Sequence, residues 1–211
     1  MNQKNGNIDF KNDLNCRFIY CWRRYQHLEN EFIAIAEIIP LTKDWEAPNY
    51  KFGSYPVGDC LIRICGEIET LLKIYCHSPK FEGEGDAEKA KRGENIGDMK
   101  PFCKNVIGLP YRSVYFRDLE DRVNPFLEFN DGKLPEWFKI YSRDKHNKLK
   151  LVENVNMKHL LYSLAGLYLL LCLHPDDFPG LAFDHPSEIF GDKRQIGTEE
   201  VWQRFEAGNP W

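Results

Sequence analysis

The sequence predicts an all-α protein, an antiparallel helical bundle with a small extended insertion and a C-terminal helical tail. Three observations carry that prediction. Residues 17–38 place Tyr25, Leu28, Phe32 and Ile35 at three- and four-residue spacing, the period of one helix face. Residues 57–76 set Leu61, Ile64, Cys65, Ile68, Leu72 and Tyr75 within one stripe about 100° wide. Residues 160–173 form an apolar run long enough for a core helix.

The elements follow in order. Residues 1–16 are polar, lack the apolar centre of a secretory signal and are expected to be flexible. Helix one spans Arg17 to Ile38, and Pro40 stops it. A turn-rich stretch through Pro48, Gly53 and Pro56 leads into helix two at 57–76, where Arg63 and Glu67 sit at i, i+4 along its flank. From Pro79 to Glu94 nearly every residue is polar, so a mobile loop is expected. Asn95 to Gly108 reads as a shorter helix ended by Gly108 and Pro110.

Val114 to Phe116 and Phe126 to Phe129 are extended-type segments, expected to pair as a hairpin. Pro135 opens the next helix at a position that suits proline, and that helix runs to His146. Asn154 or Asn156 caps the final long helix, which Pro175 terminates. Beyond it, Thr198 is positioned to cap a short helix carrying Trp202 and Phe205, and with Trp211 this tail offers an oligomer contact. The expected organisation is therefore 1–16, a helical domain over 17–174 and a C-terminal extension over 175–211.

Composition narrows the function. With 211 residues and 43% hydrophobic content the chain can bury a core without metal or disulfide. A net charge of -4 argues against a protein that coats duplex DNA, since that binding rests on many Lys and Arg contacts to phosphates. Seven scattered cysteines without a CxxC pair read as buried thiols in a reducing, cytoplasmic compartment. The run from Leu160 to Leu173 is fourteen residues, short of the roughly 18 to 20 needed to cross a bilayer. No membrane association, metal or cofactor is expected.

The chemistry concentrates in residues 134–150. Five basic side chains, Lys139, Arg143, Lys145, Lys148 and Lys150, stand in twelve residues against one acid, Asp144. In a continuous helix Trp137 and Tyr141 share one face while Arg143 and His146 share another at i, i+3. An imidazole near its ordinary pKa can take a proton from a ribose hydroxyl or give one to a leaving oxygen, and a guanidinium can stabilise charge on a phosphate. His146 is the candidate acid or base and Arg143 the phosphate holder, while Lys139, Lys145, Lys148 and Lys150 add RNA-binding charge. Glu67 and Glu69 bracket the stripe of helix two, so either can meet and orient a basic residue; Glu67 is the candidate. The same spacing also describes an ordinary solvated basic helix face.

His174, Asp176, Asp177, Asp184 and His185 gather ligand-type side chains around a proline-rich loop, without the HxxxH or HExxH spacing of helical metal sites. His159 reads as a surface or capping residue. No GxxxxGK[ST], GxGxxG or GxSxG occurs, so ATPase, dinucleotide and serine-hydrolase chemistries lack their parts.

Three segments together resemble the HEPN superfamily of small prokaryotic helical domains: Glu67 to Lys73, Pro135 to His146, and Asn154 to Leu171. The similarity spans about residues 57–174. It implies an up-down helical bundle, frequent homodimerisation, defence or toxin–antitoxin settings with an antitoxin-like or nucleotidyltransferase partner, and, in active members, metal-independent RNA cleavage. Active members place a His four to six residues after an Arg that has a polar neighbour. Here Arg143 has its polar neighbour, but only Asp144 and Lys145 separate it from His146. Two functions follow as expectations: an RNA-cleaving or RNA-binding protein, or a non-catalytic dimerising module that binds a nucleotide or an acidic protein on the same basic face.

Overall fold

The computed structural model describes residues 10–39, 41, 53–93, 96–118, 120–173, 187–191 and 197–198. Among them the fold is mostly helical, in keeping with the expected class. Three long helices form the centre: α1 (Phe10–Ile38), α2 (Tyr55–Cys76) and α7 (Met157–Cys172). These three pack on one another pairwise, with α2 against α7 the most extensive contact. Their stripes meet in one core in which Tyr25, Leu61, Ile64, Ile68, Leu164 and Tyr168 are fully buried. Each such aliphatic side chain contributes roughly 1.5–3 kcal/mol by leaving water.

Local chemistry fixes the ends of α2 and α7. The Ser54 hydroxyl accepts from Val57 N at the start of α2, with a proline in the first turn. Asn156 caps α7 by accepting from His159 N at 3.0 Å, so it fills the role left open between Asn154 and Asn156. The Tyr75 hydroxyl donates to Leu170 O at 2.5 Å and ties α2 to α7 across the core. Among the described residues no single helix is long and apolar enough to cross a membrane, and α7 is buried along most of its length.

Four expectations need correction. Helix one begins at Phe10, seven residues before the expected Arg17. The segment expected to be a mobile loop contains α3 (Gly85–Arg92). Its Ala87 and Ala90 are buried at i, i+3, and Lys89 and Lys91 pair with Asp86 and Glu88 on the polar side. Two alanines were enough of a face, because Ala, Glu and Lys are good helix formers. The stretch after residue 95 is α4 (Ile96–Pro101) followed by a π-helical turn at residues 102–106, and Gly108 ends it at φ 70°, where a side chain would be strained.

The hairpin also differs. Strand β1 (Arg112–Phe116) pairs antiparallel with β2 (Asp121–Val123), Val114 opposite Val123. Phe126 to Phe129 is not extended: residues 127–131 form a 3-10 turn in which the Phe126 and Phe129 rings stack at 5.6 Å. Three-residue spacing in a 3-10 turn puts both rings on one side, which alternation in a strand would not do. The two-residue strand β3 (Gly197–Thr198) adds to the other edge of β1, giving the order β2-β1-β3. The short helix expected from Thr198 onward, the Trp202, Phe205 and Trp211 tail, the stops at Pro40 and Pro175, and the cluster of His174, Asp176, Asp177, Asp184 and His185 lie outside the described residues.

A buried carboxylate holds the segment 187–191 to the bundle. Glu29 of α1 accepts from the Tyr25 hydroxyl at 2.8 Å, from Glu188 N at 3.1 Å, from Ile189 N at 3.4 Å and from the Ser187 hydroxyl. The segment then runs beside β1, with Gly191 N donating to Tyr115 O and the Tyr168 hydroxyl donating to Gly191 O at 2.7 Å.

Candidate functional site

The basic stretch folds into two short helices meeting at an elbow. Helix α5 (Glu136–Asp144) is anchored by Trp137, whose indole N–H donates to Pro125 O at 3.0 Å and whose ring packs edge-on against Phe126. Gly166 of α7 leaves room for these rings, since a Cβ there would stand 3.1 Å from Phe126. Helix α5 ends with Lys145 as its C-cap, and Asn147 opens α6 (Lys148–Asn154), its side chain accepting from Lys150 N. Helix α6 packs on the start of α2, where Gly53 lies so close that a Cβ would come within 1.6 Å of Val152 O. Between α6 and α7 the chain turns by 98°.

This corrects the expected continuous helix through His146. Arg143 remains on α5, whereas His146 lies in the turn beyond it, exposed and without a hydrogen-bond or ion-pair partner among the described residues. The Arg143 guanidinium is committed to its neighbour: Nε and Nη2 donate to the two Asp144 carboxylate oxygens at 2.8 and 2.6 Å. Asp144 is buried and also accepts from Asn154 Nδ2 at 3.1 Å, so the carboxylate joins α5 to the end of α6. The Arg143 hydrogen bonds, with help from Asn154, hold the Asp144 carboxyl below its ordinary pKa. The Arg143–Asp144–Asn154 group is thus a clasp on the elbow.

The two glutamates of α2 divide between neighbours. Glu67, the expected orienting partner, receives Arg24 Nε of α1 at 3.1 Å and is not brought to α5. Glu69 is: it accepts from the Tyr141 hydroxyl at 3.3 Å. Burial and then the Glu69 charge push the Tyr141 phenol pKa well up, so it stays a neutral donor. Lys145 sits 4.8 Å over the Tyr141 ring, a cation–π contact that fixes its stem. Lys139 pairs with Glu136 at 2.9 Å, and Lys148 pairs with Asp59 at 3.2 Å between exposed side chains.

What the elbow presents to solvent is Leu149, 66% exposed, between Lys148 and Lys150, with His146 and the outer side of Arg143 nearby in sequence. Tyr55, also exposed, stands one turn before Asp59 on α2 and so borders the Lys148 pair. The bracketing of an apolar residue by two lysines is visible in the sequence, but its exposure depends on where Asn147 opens α6.

A second concavity, missed by sequence reasoning, opens beside the start of α7. It is a cleft of about 430 Å³ whose wall includes Trp137, His159 and Tyr162. Burial lowers the His159 pKa to about 4, so the ring stays neutral at acidic pH values where an exposed imidazole would be protonated. Its Nδ1 is buried with no hydrogen-bond partner among the described residues. All six cysteines with described side chains, Cys21, Cys60, Cys65, Cys76, Cys103 and Cys172, are free and buried, as the scattered pattern suggested. Among the described residues no group of three or more His, Cys, Asp or Glu is arranged to hold a metal.

Compared with family models, with curated proteins and with solved structures, the chain finds no match in any of the three.

Proposed function

We propose that this chain is a HEPN-like helical module that binds rather than cuts, docking an acidic segment of a protein partner on the α5–α6 elbow. The observation that carries the proposal is the exposed Leu149 held between exposed Lys148 and Lys150. An apolar anchor rimmed by like charges is the composition of a protein-docking patch, in which the anchor supplies affinity and the rim selects and steers an oppositely charged partner. The Lys148–Asp59 pair is solvent-exposed on both sides, and such a pair is worth only about 0–1 kcal/mol. A partner carboxylate can therefore replace Asp59 at little cost.

The helical architecture and the arrangement of the aromatic α5 against α7 support the HEPN-like part of the proposal. In that setting the partner would be antitoxin-like or a nucleotidyltransferase. The RNA-cleaving alternative draws less support from the geometry. General acid–base catalysis needs a positioned proton carrier beside a charge stabiliser; here two of the three guanidinium nitrogens of Arg143 donate to Asp144, Glu67 faces α1 and His146 has no orienting partner among the described residues. A single-stranded RNA site also uses exposed aromatic platforms, whereas Tyr141 is buried beneath Lys145.

The test is fluorescence anisotropy with a labelled helical peptide of alternating Glu and Leu blocks, beside a labelled single-stranded RNA, followed by gel analysis of the RNA in EDTA. The expected result is peptide binding that weakens with salt and falls about tenfold or more in Leu149→Glu. Cleavage of the RNA that disappears in His146→Ala would replace this proposal with the nuclease.

A further inference from the structure

The elbow shows solvent two apolar side chains, Leu149 and Tyr55, beside the exposed Lys148 and Lys150. An occupant that fits carries apolar anchors on one helix face and carboxylates along its edge. The chain holds such a segment itself. In residues 199–206, Glu-Glu-Val-Trp-Gln-Arg-Phe-Glu, the helical period puts Val201, Trp202 and Phe205 on one face about 100° wide and sets Glu199 and Glu206 along its Trp202 edge. Three acids stand against one base, Arg204, so the segment is net negative where the elbow is positive.

Reach decides whose elbow the segment can fill. Strand β3 runs antiparallel to β1 with Thr198 opposite Arg112, so the chain leaves the sheet past Arg112. The Arg112 guanidinium lies near Tyr75 in the last turn of α2, whereas the elbow meets α2 near its start, where Lys148 pairs with Asp59. Asp59 and Tyr75 are about 24 Å apart along the helix, at about 1.5 Å per residue. The helix that the sequence predicts after Thr198 advances only about 6 Å to Trp202 and about 10 Å to Phe205, so these anchors fall short of the elbow of their own copy.

We propose that residues 199–206 of a second copy occupy the elbow, Trp202 and Phe205 against Leu149 and Tyr55, with the glutamates on Lys148 and Lys150. The proposal rests on the reading of the elbow as a docking surface for an acidic segment, and it names the occupant. In a two-fold pair each copy gives a segment and receives one, so two weak contacts reinforce each other. An outside acidic partner must displace the segment, and its apparent affinity is lowered by the fraction of elbows already filled.

The experiment is sedimentation velocity of the full chain over about 1–100 μM. The parent is compared with a tail variant, Glu199→Lys/Glu200→Lys/Glu206→Lys, and an elbow variant, Lys148→Glu/Lys150→Glu, each alone and the two mixed in equal amounts. The expected result is a dimer in the parent, monomers in each variant and a dimer in the mixture, because the reversed charges of one variant complement those of the other. A parent that stays monomeric, a dimer that persists in either variant, or a mixture that stays monomeric would overturn the proposal. Lys148 and Lys150 are exposed, so their reversal leaves the fold intact. The Glu/Leu peptide separates the two readings. With its elbow vacated, the tail variant is expected to bind the peptide at least about threefold more tightly than the dimeric parent does. Peptide binding by the tail variant beside a monomeric parent would sink the exchange alone, whereas no peptide binding by the tail variant would sink the docking surface and the exchange with it.

Discussion

Replacing Glu29 tests how the segment 187–191 is held, and its cost can be worked from the hydrogen bonds at one oxygen. Four donors converge on Glu29 Oε1: the Tyr25 and Ser187 hydroxyls and the N–H groups of Glu188 and Ile189. In Glu29→Gln an oxygen acceptor remains, so the loss is the difference between charge-assisted and neutral hydrogen bonds, roughly 1–2 kcal/mol for the group. In Glu29→Ala all four donors lose their acceptor. Tyr25 can redirect to Ser187 Oγ, already 2.9 Å away, but the Ser187 hydroxyl and the two backbone N–H groups have no other acceptor among the described residues. At about 1–3 kcal/mol for each buried donor left unpaired, softened by partial exposure of Glu188, the expected destabilisation is roughly 3–4 kcal/mol. Urea unfolding followed by tryptophan fluorescence measures it, since Trp22 packs against Tyr25 and Tyr168. Amide exchange at Glu188 and Ile189 should accelerate in the same variant. A Glu29→Ala protein within about 1 kcal/mol of the parent, or a Gln variant as damaged as the Ala variant, would refute the hydrogen-bond reasoning.

Two further outcomes follow from single residues. Gly53→Ala drives a Cβ into the Val152 carbonyl, so it is expected to cost about 1–3 kcal/mol by overpacking and to loosen α6, read as faster amide exchange across residues 148–154; unchanged exchange there would contradict the close approach. The folded chain resists protonating His159, with its pKa near 4, whereas the unfolded chain protonates it near 6.5, so the unfolded state binds more protons between those values. Stability therefore falls as pH drops through that window, by roughly 3 kcal/mol from this residue, and His159→Gln should flatten the pH dependence of the urea midpoint relative to the parent. Identical pH slopes would show that the imidazole is not held neutral.

The sequence made the central helices legible because each carries a single continuous signal. Helix α2 has one apolar stripe with a serine cap and an early proline, and α7 has an apolar run behind an asparagine cap; both ends match the structure within about two residues. The misses share a cause, since each depended on a partner distant in the chain or on a local break. Helix α3 shows only two alanines as its face, too little periodicity to outweigh its polarity until other elements cover them. Pro125 and the Phe126–Phe129 spacing marked a turn, yet the aromatic content suggested a strand. At the elbow, Asn147 was a readable cap three residues ahead of Lys150, and recognising it would have removed His146 from the helix. Which of Glu67 and Glu69 meets α5 could not be read from α2 alone, because the choice is made by the packing of α1 on the opposite flank. Glu29 and His159 look like ordinary surface residues in the sequence, and their burial comes from segments far away in the chain.

The elbow is tested most directly by titrating the labelled Glu/Leu peptide against the parent, Leu149→Glu and Lys148→Glu/Lys150→Glu proteins at about 50 and 300 mM salt. If Leu149 is the anchor and the lysines its rim, the leucine substitution weakens binding at both salt concentrations. The double charge reversal weakens it chiefly at the lower one, and the RNA stays intact throughout. Equal peptide affinity in all three proteins, or His146-dependent RNA cleavage in EDTA, would contradict docking at this surface.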